Sequence, residues 1–314
     1  MQFYKIREVA CVEVSREAEY KQRRLGLSER LATRSHSRWQ SLWLLICHLF
    51  LGVISHAGIV QAETTLDPAR QTYDKIEIRV GGYDFPPFVS HPSDRNKSVG
   101  GLTLEMIKAL NQLQNKYNFS FFETTSKRRY LDFEHQRYDA IFFESLDWGW
   151  KDAPVLASNV FLKGGEVYIA MKKKNRDQHF FDELWERRLV GVMGYHYGFA
   201  NFNADEEYLS RHFKILLSSD HLRNIRLILI DRPELAEVAV VTRSYLSAYL
   251  REHPEDKSKL MISDKMDQHY HHTILVRENG PLPVSEINRL LDELTSSGEM
   301  RRLTERYGID ATSF

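Results

Sequence analysis

The chain has 314 residues, 43 Lys and Arg against 43 Asp and Glu, and two cysteines, Cys11 and Cys47. A chain of this length buries a core without disulfide staples, and its neutral balance excludes the strongly basic domain that nucleic-acid binding needs.

Residues 1–40 are polar, with nine Lys and Arg against five Asp and Glu. Residues 41–60 then form an apolar stretch behind Arg34 and Arg38. Val60 and Ala62 place small residues where a signal peptidase reads, which predicts export with cleavage after Ala62. A run of about 20 apolar residues also just spans a bilayer, so an uncleaved membrane anchor is the alternative. His48 and His56 inside the stretch weigh against that anchor. Cys47 follows the bulky Ile46, which argues against lipidation. The segment ahead of Arg34 is long for a signal n-region, so residues 1–62 are set aside as leader and signal. Removing them takes both cysteines and a surplus of four positive charges, leaving about four negative charges on residues 63–314.

Ile76, Ile78 and Val80 alternate with charged residues and predict a strand ended by Gly81-Gly82. Pro86 and Pro87 make the next loop rigid. Gly100-Gly101 precede a helix with Thr103 as its cap and Met106, Ile107, Leu110, Leu113 and Tyr117 on its apolar face. Apolar runs at 119–122, 140–143, 167–171, 189–193 and 238–241 continue an alternation of strands and helices, the pattern of an α/β protein. Pro283 and Ser285 open a helix with the stripe Ile287, Leu290, Leu291 and Leu294. Gly298 ends it, and a short helix with Met300, Leu303 and Tyr307 runs to Gly308.

Most of these strands break into polar, aromatic or basic residues at their carboxyl ends. In open α/β sheets ligands lie in the crevice beyond those ends, so the layout predicts one cleft built from many loops.

The order of motifs resembles bacterial extracellular solute-binding proteins of family 3. The run from Ile78 through Gly81, Gly82, Tyr83, Asp84, Phe85, Pro86, Pro87 and Phe88 is similar to that family's opening strand and aromatic-proline loop. Gly101-Leu102-Thr103-Leu104-Glu105-Met106 resembles its first helix. Arg137-Tyr138-Asp139-Ala140-Ile141 and Leu189-Val190-Gly191-Val192-Met193 resemble two strands that open the site. The ending, from Asn288 to Gly308, resembles its closing helix pair. The resemblance implies a two-lobed type II periplasmic binding protein with mostly parallel sheets and two hinge crossings, preceded by a signal segment. Lobe 1 would span 76–162 and be completed by 277–310, and lobe 2 would span 168–270.

It also implies a periplasmic monomer that binds a small polar or anionic solute by hinge closure, without a cofactor. Its protein partner would be an ABC-type transporter permease or, alternatively, a sensor kinase. A dehydratase-like enzyme on the same fold is a further alternative, with Glu144 as general acid. Phe85, beside Asp84, matches the aromatic that lies over the ligand. Arg128 or Arg129 would grip an anion through a planar fork. Glu144, Ser145, Trp148 and Lys151 fall on the main ligand loop, where Lys151 stands near the usual carboxylate-clamping Arg. Glu144 would receive a ligand ammonium or pair with Arg129. His196 and Tyr197 fall on the second lobe's anion-binding turn. Thr242 stands where amino-acid binders carry an Asp, and Arg243 adds a cation beside it, so a standard α-amino acid held in the standard way is not expected. His269, His271 and His272 read as a polar hinge strand rather than a metal site.

Overall fold

The computed structural model describes residues 74–91 and 98–309. The expected leader and its cleavage point after Ala62 lie outside them. Among the described residues no helix is long and apolar enough to cross a membrane.

Strand β1 (Ile76–Gly82) buries Ile78 and Val80 and leaves Glu77 and Arg79 outward, as period-2 alternation requires. It pairs in parallel with β2 (Tyr117–Glu123) on one side and β3 (Ala140–Glu144) on the other. The two glycines at its end are needed for packing. A Cβ at Gly81 would meet the Tyr138 ring at 2.8 Å, and one at Gly82 would meet the Phe121 ring at 2.6 Å.

Helix α1 (Leu102–Leu113) begins one residue before the expected cap, so Thr103 is buried inside the first turn and caps nothing. Loop carbonyls satisfy the free N–H groups instead: Leu102 N donates to Pro87 O at 3.1 Å and Thr103 N to Phe88 O at 2.8 Å. After β2 come α2 (Arg129–Glu134), β3, the short β4 (Val155–Ala157) and β5 (Leu162–Met171). The second half holds β6 (Arg188–Val192), α3 (Glu206–His212), β7 (Lys214–Ser218), α4 (His221–Leu229), β8 (Val238–Thr242) and α5 (Arg243–Glu252). Strand β9 (Leu260–Arg277) then leads back to α6 (Val284–Ser296) and α7 (Glu299–Arg306), which pack on α1 through the apolar stripe read from the sequence.

The strands follow one hydrogen-bonded path, β2-β1-β3-β9-β5-β8-β6-β7, with β4 also on β9. Parallel pairing is confined to β1 with β2 and β3, and to β6 with β7 and β8. The long strand β9 runs antiparallel to β3, β4 and β5 because it carries the chain back between the two halves. A second core lies on the outer face of the second half, where Val190, Ala239 and Val241 meet Ile225, Ile228 and Leu246.

Of the three histidines on β9, His269 and His271 are exposed and His272 is fully buried, as strand alternation dictates. The His272 ring sits among Phe88, Phe143 and Tyr270, with centroids 4.7, 5.6 and 4.9 Å away. Burial holds its pKa down at about 3, and burial likewise holds His221 down at about 4. The unfolded value is near 6.5, so between these limits the unfolded chain binds more protons than the folded one. The stability contributed by these neutral rings is therefore complete above about pH 6.5 and is lost as pH falls. Urea unfolding is expected to show stability dropping from pH 6.5 towards 4.5. His272→Gln should flatten that slope by about 1 kcal/mol per pH unit; an unchanged slope would contradict the assignment.

Candidate functional site

Loops from both halves and the two crossing strands enclose a small cavity. The first half supplies Tyr83, Phe85, Arg129 and Trp148, the second supplies Gly194, Tyr195 and His196, and β5 and β9 supply Glu166, Gln268 and Tyr270. The space open to the centre of a water molecule is about 10 Å³, which admits roughly one water-sized group. The walls are mostly aromatic. Phe85 meets Trp148, Tyr195 and Tyr270 edge to face at 5.9, 5.5 and 5.9 Å, and Trp148 meets Tyr270 at 5.0 Å.

Arg129 is 1% exposed and is met by a buried acid: its Nε lies 3.1 Å from Oε1 of Glu144, which is 0% exposed. The other Glu144 oxygen accepts Trp150 Nε1–H at 2.9 Å. Tyr83 and Tyr130 lie against the guanidinium, with ring centroids at 4.7 and 4.4 Å. A bulge in β3 accompanies this pair. Phe143, at φ 59°, is the extra residue between Phe142, opposite Ile274, and Glu144, opposite Thr273. Such bulges re-aim a side chain, and here Phe142, Phe143 and Glu144 are all buried. Burial pushes the Glu144 pKa up, opposed by Arg129 and by the Trp150 bond. Burial likewise works against the Arg129 charge, but Tyr83 and Glu144 outweigh it and hold its pKa above the ordinary value.

Glu166 is the second buried acid. It follows Gly164-Gly165 in β5, and a Cβ at Gly165 would strike Gln268 O and Met266 S, each at 2.5 Å. The β5–β9 register shifts at Glu166. Gln268 Nε2–H donates to Glu166 Oε2 at 2.8 Å, while Oε1 has no well-formed hydrogen bond among the described residues. Neighbouring Asp267 accepts bonds from Gly198 N, Phe199 N and Tyr168 OH. Burial first, and the Asp267 charge second, push the Glu166 pKa up.

Direct bonds join the halves around the cavity. Trp148 Nε1–H donates to Gln268 Oε1 at 3.0 Å, Tyr195 OH to Asp84 O at 3.1 Å, and Ser126 OH to Met193 O at 3.0 Å. His196 Nδ1 lies 2.6 Å from Phe202 O and so carries the proton. Its Nε2 lies 2.8 Å from Tyr130 OH, which is also 2.6 Å from Trp148 O. One phenol proton thus serves two acceptors. Burial, then the Arg129 charge, hold the His196 pKa down at about 4, which keeps the ring neutral.

Of the residues singled out from the sequence, Phe85, Arg129, Trp148 and His196 line this cavity. The rest lie elsewhere, each for a local reason. Glu144 stands behind Arg129, engaged by it. Tyr197 is fully buried over β6 with its hydroxyl on the Val192 main chain, close to Gly191, whose missing Cβ makes room for it. Thr242 is buried with its hydroxyl 3.0 Å from His221 Nε2. Arg128 is exposed and pairs with Asp132 at 3.4 Å, and Lys151 is exposed and pairs with Asp147 at 2.7 Å. The Ser145 hydroxyl accepts the Asp147 N–H at 3.3 Å. Asp84 lies 3.3 Å from His91 and lines a second, larger groove whose walls also come from both halves, with Ser90 and His91 facing Asp220, His221 and Tyr245, and Arg243 borders a separate pocket with Lys163 and Ser247. Tyr83, Glu166, Tyr195, Gln268 and Tyr270 were not singled out as site residues. The signal for Glu166 was a charge directly after Gly-Gly inside an apolar strand, and for Gln268 and Tyr270 their shared face with His272.

No protein-family model matches this chain, and no curated protein sequence matches it. Solved structures do share its fold. A mutant of ArgBP from T. maritima is 18% identical with a TM-score of 0.56, over 74% of this chain and 96% of that one. A binding component of an ABC transporter from Wolinella succinogenes, complexed with lysine, is 17% identical with a TM-score of 0.56, over 75% and 97%. The ancestral amino acid-binding protein AncCDT-1, a precursor of cyclohexadienyl dehydratase, is 16% identical with a TM-score of 0.54, over 74% and 95%. This chain has the two-lobed type II periplasmic binding protein fold.

The buried pair sets an energetic expectation. Arg129→Met leaves Glu144 buried and unpaired and should destabilise the fold by about 3–5 kcal/mol. Adding Glu144→Met should recover most of that loss, since a buried ion pair and an apolar pair differ little in net stability. Urea unfolding of the single and double variants checks this, and a double variant no more stable than the single would refute it.

Proposed function

We propose that this protein binds a small solute between its two lobes and closes over it by bending at β5 and β9. The single observation that carries this reading is the cavity, whose walls come from both halves and from both crossing strands. A ligand shifts a hinge equilibrium only through contacts that exist in one state, and a site shared between halves provides them. In this reading residues 76–162 with 277–309 form one lobe and 168–270 the other.

The protein is exported to the periplasm and works there as a non-catalytic receptor that delivers solute to an ABC-type permease. The likeness to transporter binding components supports that partner over a sensor kinase. A dehydratase reading loses its proposed acid, because Glu144 is ion-paired with Arg129 and bonded to Trp150. The ligand contacts in this reading are Phe85, Trp148, Tyr195 and Tyr270 on the walls with Glu166 and Gln268 beneath. The anionic solute expected from Arg128, Arg129 and Lys151 loses support, since each of these cations already has an acidic partner.

A thermal-shift screen of amino acids, amines, carboxylates and small cyclic compounds tests the reading. A compound at 100 times its dissociation constant adds about 2.7 kcal/mol, or roughly 5–10 °C in melting temperature. A specific class of small solutes should reach that range. A flat response across the set, with no product formed, contradicts solute binding; turnover would favour the enzyme reading.

A further inference from the structure

Glu166 is the group that the fold treats most unusually. It is 0% exposed and lines the cavity; Gln268 holds Oε2, Oε1 has no well-formed hydrogen bond among the described residues, and the neutral donor beside it is the Tyr270 hydroxyl. A buried carboxylate needs a partner, and no cation among the described residues forms an ion pair with it. Arg129, the cation in the same cavity, is matched by Glu144. The other acid near Glu166 is Asp267, whose pKa burial pushes up, opposed by the bonds it accepts from Tyr168 OH, Gly198 N and Phe199 N. Counted together, Arg129, Glu144, Asp267 and ionised Glu166 leave the site with excess negative charge.

The walls suit the same kind of occupant. Phe85, Trp148, Tyr195 and Tyr270 surround the acid, and aromatic faces attract cations. The open space is about 10 Å³, the size of a water or an ammonium head and too small for a bulkier quaternary head. An ammonium also brings three N–H donors and no acceptor, which suits a buried carboxylate that no cation pairs with. The groups expected to clamp a carboxylate are engaged elsewhere: Arg128 with Asp132, Arg129 with Glu144 and Lys151 with Asp147.

We propose that Glu166 is a cation-selecting residue, which binds the primary ammonium head of a small organic amine inside the aromatic walls and makes an α-carboxylate dispensable. This rests on the reading of the protein as a solute binder and names its ligand class. The ammonium donates to Glu166 Oε1, and the hydrocarbon tail extends towards the mouth of the cleft as the halves part. Because burial and Asp267 favour the protonated acid, loading an ammonium displaces a proton from Glu166 to solvent.

Calorimetric titration with cadaverine, L-lysine, glutarate and 1-pentanol tests this. Cadaverine and L-lysine should bind the wild type within about threefold of each other, and glutarate and pentanol should not bind. Glu166→Gln, which keeps an acceptor for Gln268, should weaken cadaverine at least tenfold while leaving the melting curve cooperative. Binding heats at pH 7 in two buffers of different ionisation enthalpy should show net proton release in the wild type, a readout that does not depend on the variant folding. Glutarate binding equally to wild type and Glu166→Gln would overturn the proposal and leave solute binding standing. Cadaverine binding without proton release and unaffected by Glu166→Gln would do the same. No binding or thermal shift with any compound of either charge would overturn both.

Discussion

The antiparallel pair of β5 and β9 is the constraint on which the molecule is built. Strand β9 is 18 residues long, and its register runs from Leu260 opposite Met171 to Val276 opposite Ala140, so one strand belongs to both halves. Two strands crossing together can bend, but their ladder of hydrogen bonds resists shear. In the proposed closure each half would keep its own packing while the angle between them changes. The same pair floors the cavity with Glu166, Gln268 and Tyr270 and buries His272 beneath the aromatic loop that carries Phe85 and Phe88. In the proposed reading, hinge and binding surface are the same residues.

Electrostatics at that floor follows from what has been removed from water. The Arg129–Glu144 pair is closed on itself, and Trp150, Tyr83 and Tyr130 complete its surroundings. Such a pair contributes little net stability against apolar residues of the same size, but it fixes two charges that would otherwise answer to a ligand. Glu166 lacks that protection. Its register shift and the glycine ahead of it bring it close to Gln268, and it lines the same pocket as the aromatic walls with no cation paired to it among the described residues. On the proposed reading the two acids therefore have different roles, one structural and one available.

Much of the architecture was legible in the sequence because it rests on local periodicity. The alternation of Ile76, Ile78 and Val80, the stripe of Ile287, Leu290, Leu291 and Leu294, and the punctuation by Gly298 each have a single geometric reading, and the structure follows them. The site was legible only in part. Phe85, Arg129, Trp148 and His196 could be placed at strand tips, where loops converge. Whether a tip residue faces solute or a neighbour depends on contacts far away in the chain, and periodicity does not encode those. Thr242 meets His221, Tyr197 turns back over Gly191, and Glu144 meets Arg129 through a bulge at Phe143 that no strand pattern announces. Glu166 and Gln268 sit in mid-strand, where nothing local marks a polar side chain as facing a site rather than solvent.

The central claim is that the halves move about β5 and β9 when solute enters. With both cysteines, Cys11 and Cys47, ahead of the described residues, a variant with both replaced by Ser can carry paired spin labels at Lys108 on α1 and Glu207 on α3, both exposed and in opposite halves. Pulsed dipolar spectroscopy should give a distance distribution that shortens and narrows when a compound that raises the melting temperature is added to saturation. An identical distribution with and without that compound would mean that binding occurs without hinge motion, and would contradict the account.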